Sequence, residues 1–219
     1  MQISILSTKI LSNTQKQELV NANFNVIEED FIQTKNQSFD LNDINDNLII
    51  TSQNAAQSLL LHPKCEGLKT KNVFCVGMKT KSLLEENNFN VTVYVDYASD
   101  LAEIITLIYM NESYTFFSGN LRKETLPKAL TAAKIKFNEI QVYETSLTPH
   151  KIKTPVEAIL FFSPSGIESY LAVNKIKKEV CFCIGNTTAE ALDKITENII
   201  VANQPSIEEV IEAVIEEYK

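Results

Sequence analysis

The chain has 219 residues, a net charge of −8, and one arginine, Arg122, among its 20 basic residues. Such a chain lacks the basic surface that binds nucleic-acid phosphates, so we expect no nucleic-acid partner. A composition of 44% hydrophobic and 22% charged residues is typical of a folded globular protein. The start of the chain has no secretory signal pattern, and no apolar run is long enough to span a membrane. We therefore expect a cytoplasmic protein without a membrane segment.

Short apolar runs alternate with amphipathic helical patterns along the whole chain. We predict strands at residues 2–6, 25–27, 48–51, 72–76, 91–94, 114–117, 138–143, 158–162, 179–184 and 199–201. Helices are predicted near residues 14–22, 54–61, 79–87, 99–111, 123–133, 166–173, 188–196 and 207–217. This alternation predicts an α/β fold in which helices cover parallel sheets.

Four helix starts show the spacing of a capping box, in which a hydroxyl residue is followed three positions later by Glu or Gln. The predicted pairs are Thr14 with Gln17, Ser165 with Glu168, Thr187 with Glu190, and Ser206 with Glu209. These pairs are expected to mark the helix boundaries.

The chain nearly repeats itself. Residues 48–61 and 158–171 both contain an apolar strand, a small polar turn and an amphipathic helix, with Ser52 and Ser163 separated by 111 residues. Gly77 and Gly185 lie in a second matching pair of segments, at a separation of 108 residues. A duplicated unit predicts two similar domains, with a ligand-binding cleft between them.

The repeat also aligns residues 3–30 with residues 114–145, which places the domain boundaries away from the middle of the chain. We predict one discontinuous α/β domain from residues 1–28 and 148–219 and a second α/β domain from residues 33–142. Residues 29–32 and 143–147 are then the connectors between the domains.

Small polar turns follow five of the predicted strands. In parallel sheets ligands bind beyond the carboxyl ends of the strands, where helix N-termini offer unpaired N–H donors to anions. Ser, Thr and Asn are also ordinary helix caps, so capping alone explains any one turn equally well. Neither a Gly-x-Gly-x-x-Gly sequence nor a Walker sequence is present, so a nucleotide site is not favoured. The turns are residues 51–54, 77–80, 118–120, 163–166 and 185–188.

Residues for acid–base or metal chemistry are scarce. His62 and His150 are expected to face solvent, and no spacing typical of a metal site occurs. The four cysteines fit reduced core thiols better than metal ligands. Tyr143 lies in a predicted connector, where its phenol could act as a weak acid or its ring could serve packing alone.

Four segments, taken in order, resemble the uroporphyrinogen-III synthase family over nearly the whole chain. They are residues 117–127 (FSGNLRKETLP), 142–145 (VYET), 161–166 (FFSPSG) and 184–192 (IGNTTAEAL). The resemblance implies two HemD-like parallel-sheet domains, related to Rossmann and flavodoxin folds, joined by a two-stranded connector.

The resemblance also implies an activity. Family members dehydrate the linear tetrapyrrole hydroxymethylbilane and close it to uroporphyrinogen III, inverting the last pyrrole ring, in haem biosynthesis. No cofactor and no metal are implied. We expect a monomer, with a transient contact to the preceding enzyme of the pathway.

Site residues follow by matching family positions. Tyr143 matches a tyrosine that assists departure of the hydroxyl, and Thr80, Thr188 and either Ser163 or Ser165 match cleft positions. Many bacterial members have Thr-Arg-Pro after the first strand, where this chain has Ser7-Thr8-Lys9, so Lys9 is a candidate replacement for the arginine. The full set of expected substrate-binding residues is Ser52, Thr80, Ser118, Gly119, Asn120, Ser163, Ser165, Gly166, Thr187 and Thr188.

A non-catalytic two-domain protein that closes on a small anionic ligand is the alternative. Both interpretations need helix N-termini around a cleft. A binding protein, however, has no use for a weak acid at Tyr143.

Overall fold

The structure, a computed structural model, describes residues 2–219. Its strands are β1 (Ile3–Ser7), β2 (Phe24–Glu28), β3 (Ile32–Asn36), β4 (Asn47–Ile50), β5 (Asn72–Val76), β6 (Asn90–Val95), β7 (Ser113–Gly119), β8 (Lys136–Leu147), β9 (Ala158–Phe161), β10 (Val180–Cys183) and β11 (Ile199–Val201). Its α-helices are α1 (Asn13–Asn21), α2 (Gln53–Leu60), α3 (Met78–Glu86), α4 (Ala98–Leu107), α5 (Thr125–Ala132), α6 (Pro164–Leu171), α7 (Asn186–Ala189) and α8 (Ile207–Glu217). Short 3-10 helices cover Cys65–Leu68 and Glu190–Leu192. None of the helices in residues 2–219 is long and apolar enough to cross a membrane.

The chain divides into two compact units. The first unit consists of Met1–Gln33 and Ser146–Lys219, and the second unit consists of Thr34–Thr145. One sheet has the strand order β11-β10-β9-β1-β2, and the other has the order β3-β8-β7-β4-β5-β6.

The two sheets have the same topology. The repeat matches β9, β10 and β11 to β4, β5 and β6, and it matches β1 and β2 to β7 and β8. With that correspondence, the order β2-β1-β9-β10-β11 in the first sheet matches the order β8-β7-β4-β5-β6 in the second sheet. Neighbouring strands in both of these series are parallel. The predicted α/β fold with parallel sheets is confirmed.

Each sheet is buried on both faces. In β4 the side chains of Leu48 and Ile50 pack into one apolar cluster, while Ile49 between them packs into another. In β1 the neighbours Ile5 and Leu6 likewise enter separate clusters. Because successive side chains of a strand point to opposite faces, helices on both sides must cover the sheet, which explains why the strands are continuous apolar runs.

The chain passes between the units in β3 and β8, which are neighbours in the second sheet. The Thr148 N–H donates to the Phe31 carbonyl at 3.0 Å, and the Gln37 N–H donates to the Val142 carbonyl at 2.9 Å. From the first pair to the second, the residue number rises from 31 to 37 on one segment and falls from 148 to 142 on the other, so the two segments are antiparallel. We did not predict β3, because its residues after Ile32 are polar and largely exposed and show no alternation with apolar residues.

The structure corrects three of the four predicted capping boxes. The N-cap of α1 is Ser12, which forms the capping box with Gln15. The N-cap of α6 is Ser163, not Ser165, because Ser163 has the extended backbone and its hydroxyl accepts from the Gly166 N–H. The fourth prediction placed the cap at Ser206. Ser206 is the N-cap of α8, and its hydroxyl accepts from the Glu209 N–H at 3.2 Å.

The third correction concerns the helix predicted at residues 188–196. It is instead the short α7 followed by the 3-10 helix Glu190–Leu192, and its N-cap is Gly185 with no side-chain cap, so Thr187 and Glu190 form no capping box. Asp193 ends the helical segment by turning extended, with ψ of 133°.

Candidate active site

A tyrosine and a serine of the second unit meet at one edge of its sheet. Tyr143 is a half-buried residue of β8, and Ser52 follows β4. The Ser52 hydroxyl donates a hydrogen bond to the Tyr143 phenol oxygen at 3.2 Å. The structure thus brings together two residues that the sequence analysis expected at the site.

The hydrogen bonds of Ser52 determine what the phenol can still do. Ser52 is the N-cap of α2, and its oxygen accepts from the Ala55 N–H at 3.1 Å. Its only proton is directed to Tyr143. The phenol is therefore the acceptor in this pair, and its own proton is donated to no other described residue. An incoming group can receive that proton.

Gly119 allows the tyrosine ring to lie where it does. The two residues are register partners in β7 and β8, at an irregularity that begins after Ser118. A Cβ atom added to Gly119 would lie 2.3 Å from Tyr143 Cζ and 2.8 Å from the phenol oxygen. No side chain fits in that space, so glycine is needed here for close approach.

The neighbours of Gly119 have different roles. The Asn120 amide donates to the Thr145 carbonyl at 3.0 Å and accepts from the Thr145 N–H at 2.7 Å. Asn120 thereby fixes β8 just beyond Tyr143. Ser118 is buried, at 6% exposure, and its hydroxyl bonds to no other described residue.

Thr80 and Thr188 occupy equivalent positions in the two units. Each is 3% exposed and lies three residues after a glycine N-cap, Gly77 or Gly185. Their backbone N–H groups donate to those glycine carbonyls at 3.0 Å and 2.9 Å. Neither hydroxyl bonds to another residue within 2–219. Both residues are therefore mostly buried, and both keep a hydroxyl donor that no described residue accepts from.

Small polar residues also gather at the carboxyl end of β9 in the first unit. The Ser163 hydroxyl accepts from the Gly166 N–H at 3.0 Å and lies 3.1 Å from the Ser165 hydroxyl. A Cβ on Gly166 would lie 3.3 Å from the Ser163 oxygen and 3.7 Å from the Thr8 hydroxyl. Thr8 therefore belongs to this group, although the sequence analysis did not select it. Its position directly after β1 was the available signal.

Thr187 lies in α7 and is half-buried. Because it is not the helix cap, its hydroxyl is not used for capping. The structure gives no contact that joins it to the other expected residues of the first unit.

The basic residues near these turns differ in their pairing. Arg122 forms a two-point ion pair with Glu139, at 2.6 Å and 3.1 Å, and a further one with Glu124. These hydrogen bonds, first to Glu139 and then to Glu124, raise the pKa of the Arg122 guanidinium. Lys9, by contrast, is exposed.

Thiol and metal chemistry find little support in the described residues. The four cysteines are free and buried, and burial raises the pKa of Cys75, Cys181 and Cys183 to about 12. Such thiols stay protonated and unreactive at neutral pH. No group of three or more His, Cys, Asp or Glu side chains among residues 2–219 could hold a metal ion.

Comparisons with known proteins agree with this architecture. The porphyrin biosynthesis protein HemD of Ruminiclostridium josui is 23% identical over 192 residues, which are 77% of this chain and 37% of that protein. The chain thus spans little more than a third of that relative's length. A uroporphyrinogen-III synthetase structure from Helicobacter pylori 26695 superposes with a TM-score of 0.72 at 20% identity and covers 99% of both chains. A mutant uroporphyrinogen III synthase from Thermus thermophilus gives 0.71 at 12% identity, over 99% of this chain and 100% of that one.

These structural likenesses concern the fold. The sequence itself matches the family model of uroporphyrinogen-III synthase HemD over residues 14–212. Because that match covers most of its length, the chain belongs to the uroporphyrinogen-III synthase family.

Proposed function

We propose that this chain is itself a uroporphyrinogen-III synthase, which converts hydroxymethylbilane into uroporphyrinogen III with loss of one water. The observation that best supports the proposal is the phenol of Tyr143. It accepts a hydrogen bond from Ser52 and keeps its own proton for another group.

The phenol would act on the hydroxymethyl group of the substrate. Tyr143 gives its proton to the hydroxyl, the bond from carbon to oxygen breaks, and water leaves. The attached pyrrole stabilises the resulting cation, so a weak acid is sufficient. The substituted carbon of the last ring then attacks, and a spirocyclic intermediate forms and rearranges to the inverted ring. The proton released as that pyrrole regains aromaticity returns to the phenolate.

Geometry, and not acid strength, would decide which isomer forms. Direct closure at the free position of the last ring gives the type I isomer, so the enzyme has to hold the chain in the arrangement that favours attack by the substituted position. Orientation of this kind contributes more to catalysis than a single proton transfer does.

The substrate has eight carboxylates, whereas the protein has a net charge of −8, so recognition has to be local. The N–H groups at the starts of α2, α3 and α6 are suited to this task. The unpaired hydroxyls of Thr80, Thr188 and Ser118 add donors, and Ser163, Ser165 and Gly166 form a further polar corner. We also retain Gly119, Asn120 and Thr187 as proposed contacts, through their backbone groups where the side chains are occupied.

We propose no cofactor for this reaction, which involves no change in oxidation state. We further propose that the two compact units are separate domains and that the chain acts as a cytoplasmic monomer. A transient contact with the preceding enzyme would limit the loss of hydroxymethylbilane to uncatalysed closure. Light scattering on the purified chain tests the monomer, since a stable dimer mass would contradict it.

The function is tested with freshly made hydroxymethylbilane, by resolving the type I and type III products. We expect the wild-type chain to give the type III isomer. Tyr143→Phe keeps the ring but removes the donor, and its rate should fall by about 10²-fold, the lower end for general acid catalysis. Its residual product should remain mainly type III.

The possible results separate three roles of this residue. A wild-type rate for Tyr143→Phe would make Tyr143 a packing residue. A slow variant that releases the type I isomer would mean that the phenol positions the last ring. A wild-type chain that produces no type III isomer would overturn the proposed function.

A further inference from the structure

An open cavity of about 800 Å³ lies in the first unit, away from the residues described above. Its walls are the segment 151–156, which leads into β9, and the segment 170–179, which leads into β10. Because β9 and β10 are parallel, the amino ends of both strands lie at the same edge of the sheet. Ser163 follows the carboxyl end of β9, so the cavity and the proposed substrate contacts of this unit are at opposite edges.

Lysines dominate the charge around this cavity. All five are exposed, and none forms an ion pair with a carboxylate of residues 2–219. They are Lys151, Lys153, Lys175, Lys177 and Lys178.

One carboxylate, that of Glu179, also lines the cavity. It accepts hydrogen bonds from the backbone N–H groups of Lys177 and Lys178, at 2.5 Å and 2.9 Å. Five lysines and one carboxylate line the cavity, so the ammonium groups repel one another with only partial compensation, in a chain that is acidic as a whole. The Lys151 ammonium also donates to the Val173 carbonyl at 2.6 Å, whereas the other four have no such bond to a described residue. An anion in the cavity would relieve that repulsion.

Tyr170 supplies an independent observation in the same cavity wall. The residue is only 3% exposed, and its ring packs against Phe31 and Phe161. Its hydroxyl makes no hydrogen bond with any described residue. Burial raises the pKa of Tyr170 to about 12, so at neutral pH the hydroxyl keeps its proton and can donate it. Since Tyr170 lines the cavity and its hydroxyl has no acceptor among the described residues, a ligand in the cavity can accept this hydrogen bond.

We propose that this cavity binds a small organic polyanion, with its carboxylate or phosphate groups on the lysines and one of them accepting from the Tyr170 hydroxyl. The volume suits an organic ligand better than a single inorganic ion, because pockets for such ligands measure about 300–1,000 Å³. The site does not depend on the proposed catalytic activity.

Titration calorimetry on the full chain at low and at physiological ionic strength tests the proposal, with citrate and tripolyphosphate as probes. At least one probe should bind with a Kd below about 1 mM at low ionic strength. Preference for citrate would identify a carboxylate ligand, and preference for tripolyphosphate would identify a phosphate ligand.

Two variants and one matched control locate the binding. The triple variant Lys175→Gln, Lys177→Gln, Lys178→Gln should weaken binding at least tenfold. Tyr170→Phe should weaken it at least threefold, without lowering the melting temperature. The control variant removes three other exposed lysines, in the second unit, and should change binding less than twofold: Lys128→Gln, Lys134→Gln, Lys136→Gln.

Three results would overturn the proposal. They are no binding of either probe to the wild-type chain, unchanged binding by the triple variant, and an equal loss in the control variant. The last of these would show attraction to overall charge instead of a site. Melting temperatures of all variants establish that each one is folded.

Discussion

Gly119→Ala should displace the phenol of Tyr143, the proposed proton donor, without removing any proposed catalytic group from the chain. The added methyl carbon would lie 2.3 Å from Tyr143 Cζ. Carbon atoms in contact are normally at least about 3.5 Å apart, so the ring must move by about 1.2 Å. The phenol is at the end of that ring, and its 3.2 Å contact with Ser52 cannot survive such a movement unchanged.

A displacement of about 1 Å at a reacting group costs about 10²-fold in rate, so Gly119→Ala should resemble Tyr143→Phe. Overpacking also costs stability, about 1–3 kcal/mol in a core, and we expect the lower end because Tyr143 is only half-buried. The assay is turnover of hydroxymethylbilane with resolution of the two isomers, alongside chemical denaturation of each variant. Gly67→Ala is the matched control, because a Cβ on Gly67 meets no atom within 4 Å.

The double variant decides between this account and a general disturbance of the fold. If Gly119→Ala acts through the phenol, it should add less than threefold to the loss already caused by Tyr143→Phe. Independent effects would instead multiply to about 10⁴-fold. Full multiplication, or a wild-type rate for Gly119→Ala alone, would refute the reasoning.

Three further variants test the same reasoning. Ser52→Ala removes both a helix cap and the donor to Tyr143, so it should lose about 1 kcal/mol of stability and also turnover, while Ser52→Thr should restore both. Ser206→Ala removes only the cap of α8, so denaturation should show a similar loss with unchanged turnover; reduced turnover would mean that the assay reports stability. Arg122→Gln should leave KM within about threefold of wild type and cost at most about 1 kcal/mol, because its guanidinium is already bound to Glu139. A large rise in KM would show that Arg122 contacts the substrate.

The Arg122 prediction rests on a contact that the sequence does not reveal. Arg122 is the only arginine of the chain, and a free guanidinium would suit a substrate carboxylate. Composition cannot show that Glu139, 17 residues away, reaches it from the neighbouring strand. The first unit has a comparable ion pair, between Lys16 and Glu28, again joining a helix region to the second strand of the matched pair. This recurrence favours a structural role for both pairs.

The parallel α/β fold could be predicted because the duplicated sequence repeats the same order of strands and helices. Two segments at nearly constant separation established which strands correspond, and parallel strands buried on both faces have unmistakable apolar runs. The predictions that were wrong concern local details, namely which residue caps a helix. Several hydroxyl residues near a helix start satisfy the same spacing rule, so Thr14 was chosen over Ser12 and Ser165 over Ser163, although only the extended residue can cap.

Strand β3 could not be predicted from the sequence for a different reason. Its sequence is polar, and its stability as a strand comes from pairing with β8, about 100 residues further along the chain. The packing of Tyr143 on Gly119 was equally hidden, because it depends on a register irregularity between β7 and β8. Interactions set by long-range register leave no periodic signal in the sequence.

The duplication also indicates where the chemistry should lie. Thr80 and Thr188 are matched residues whose hydroxyls have no partner among the described residues, so both units offer similar donors to the proposed substrate, which has carboxylates on every ring. The phenol has no such counterpart, since the strand registers of the two sheets match Ile32 to Tyr143 and Ile10 to Gly119. Only one hydroxyl leaves in the proposed reaction, and one proton donor is enough for it. The threonine hydroxyls, which the two units share, therefore fit recognition of a substrate built from similar rings. The Tyr143 phenol, which only one unit has, fits the single hydroxymethyl group of that substrate.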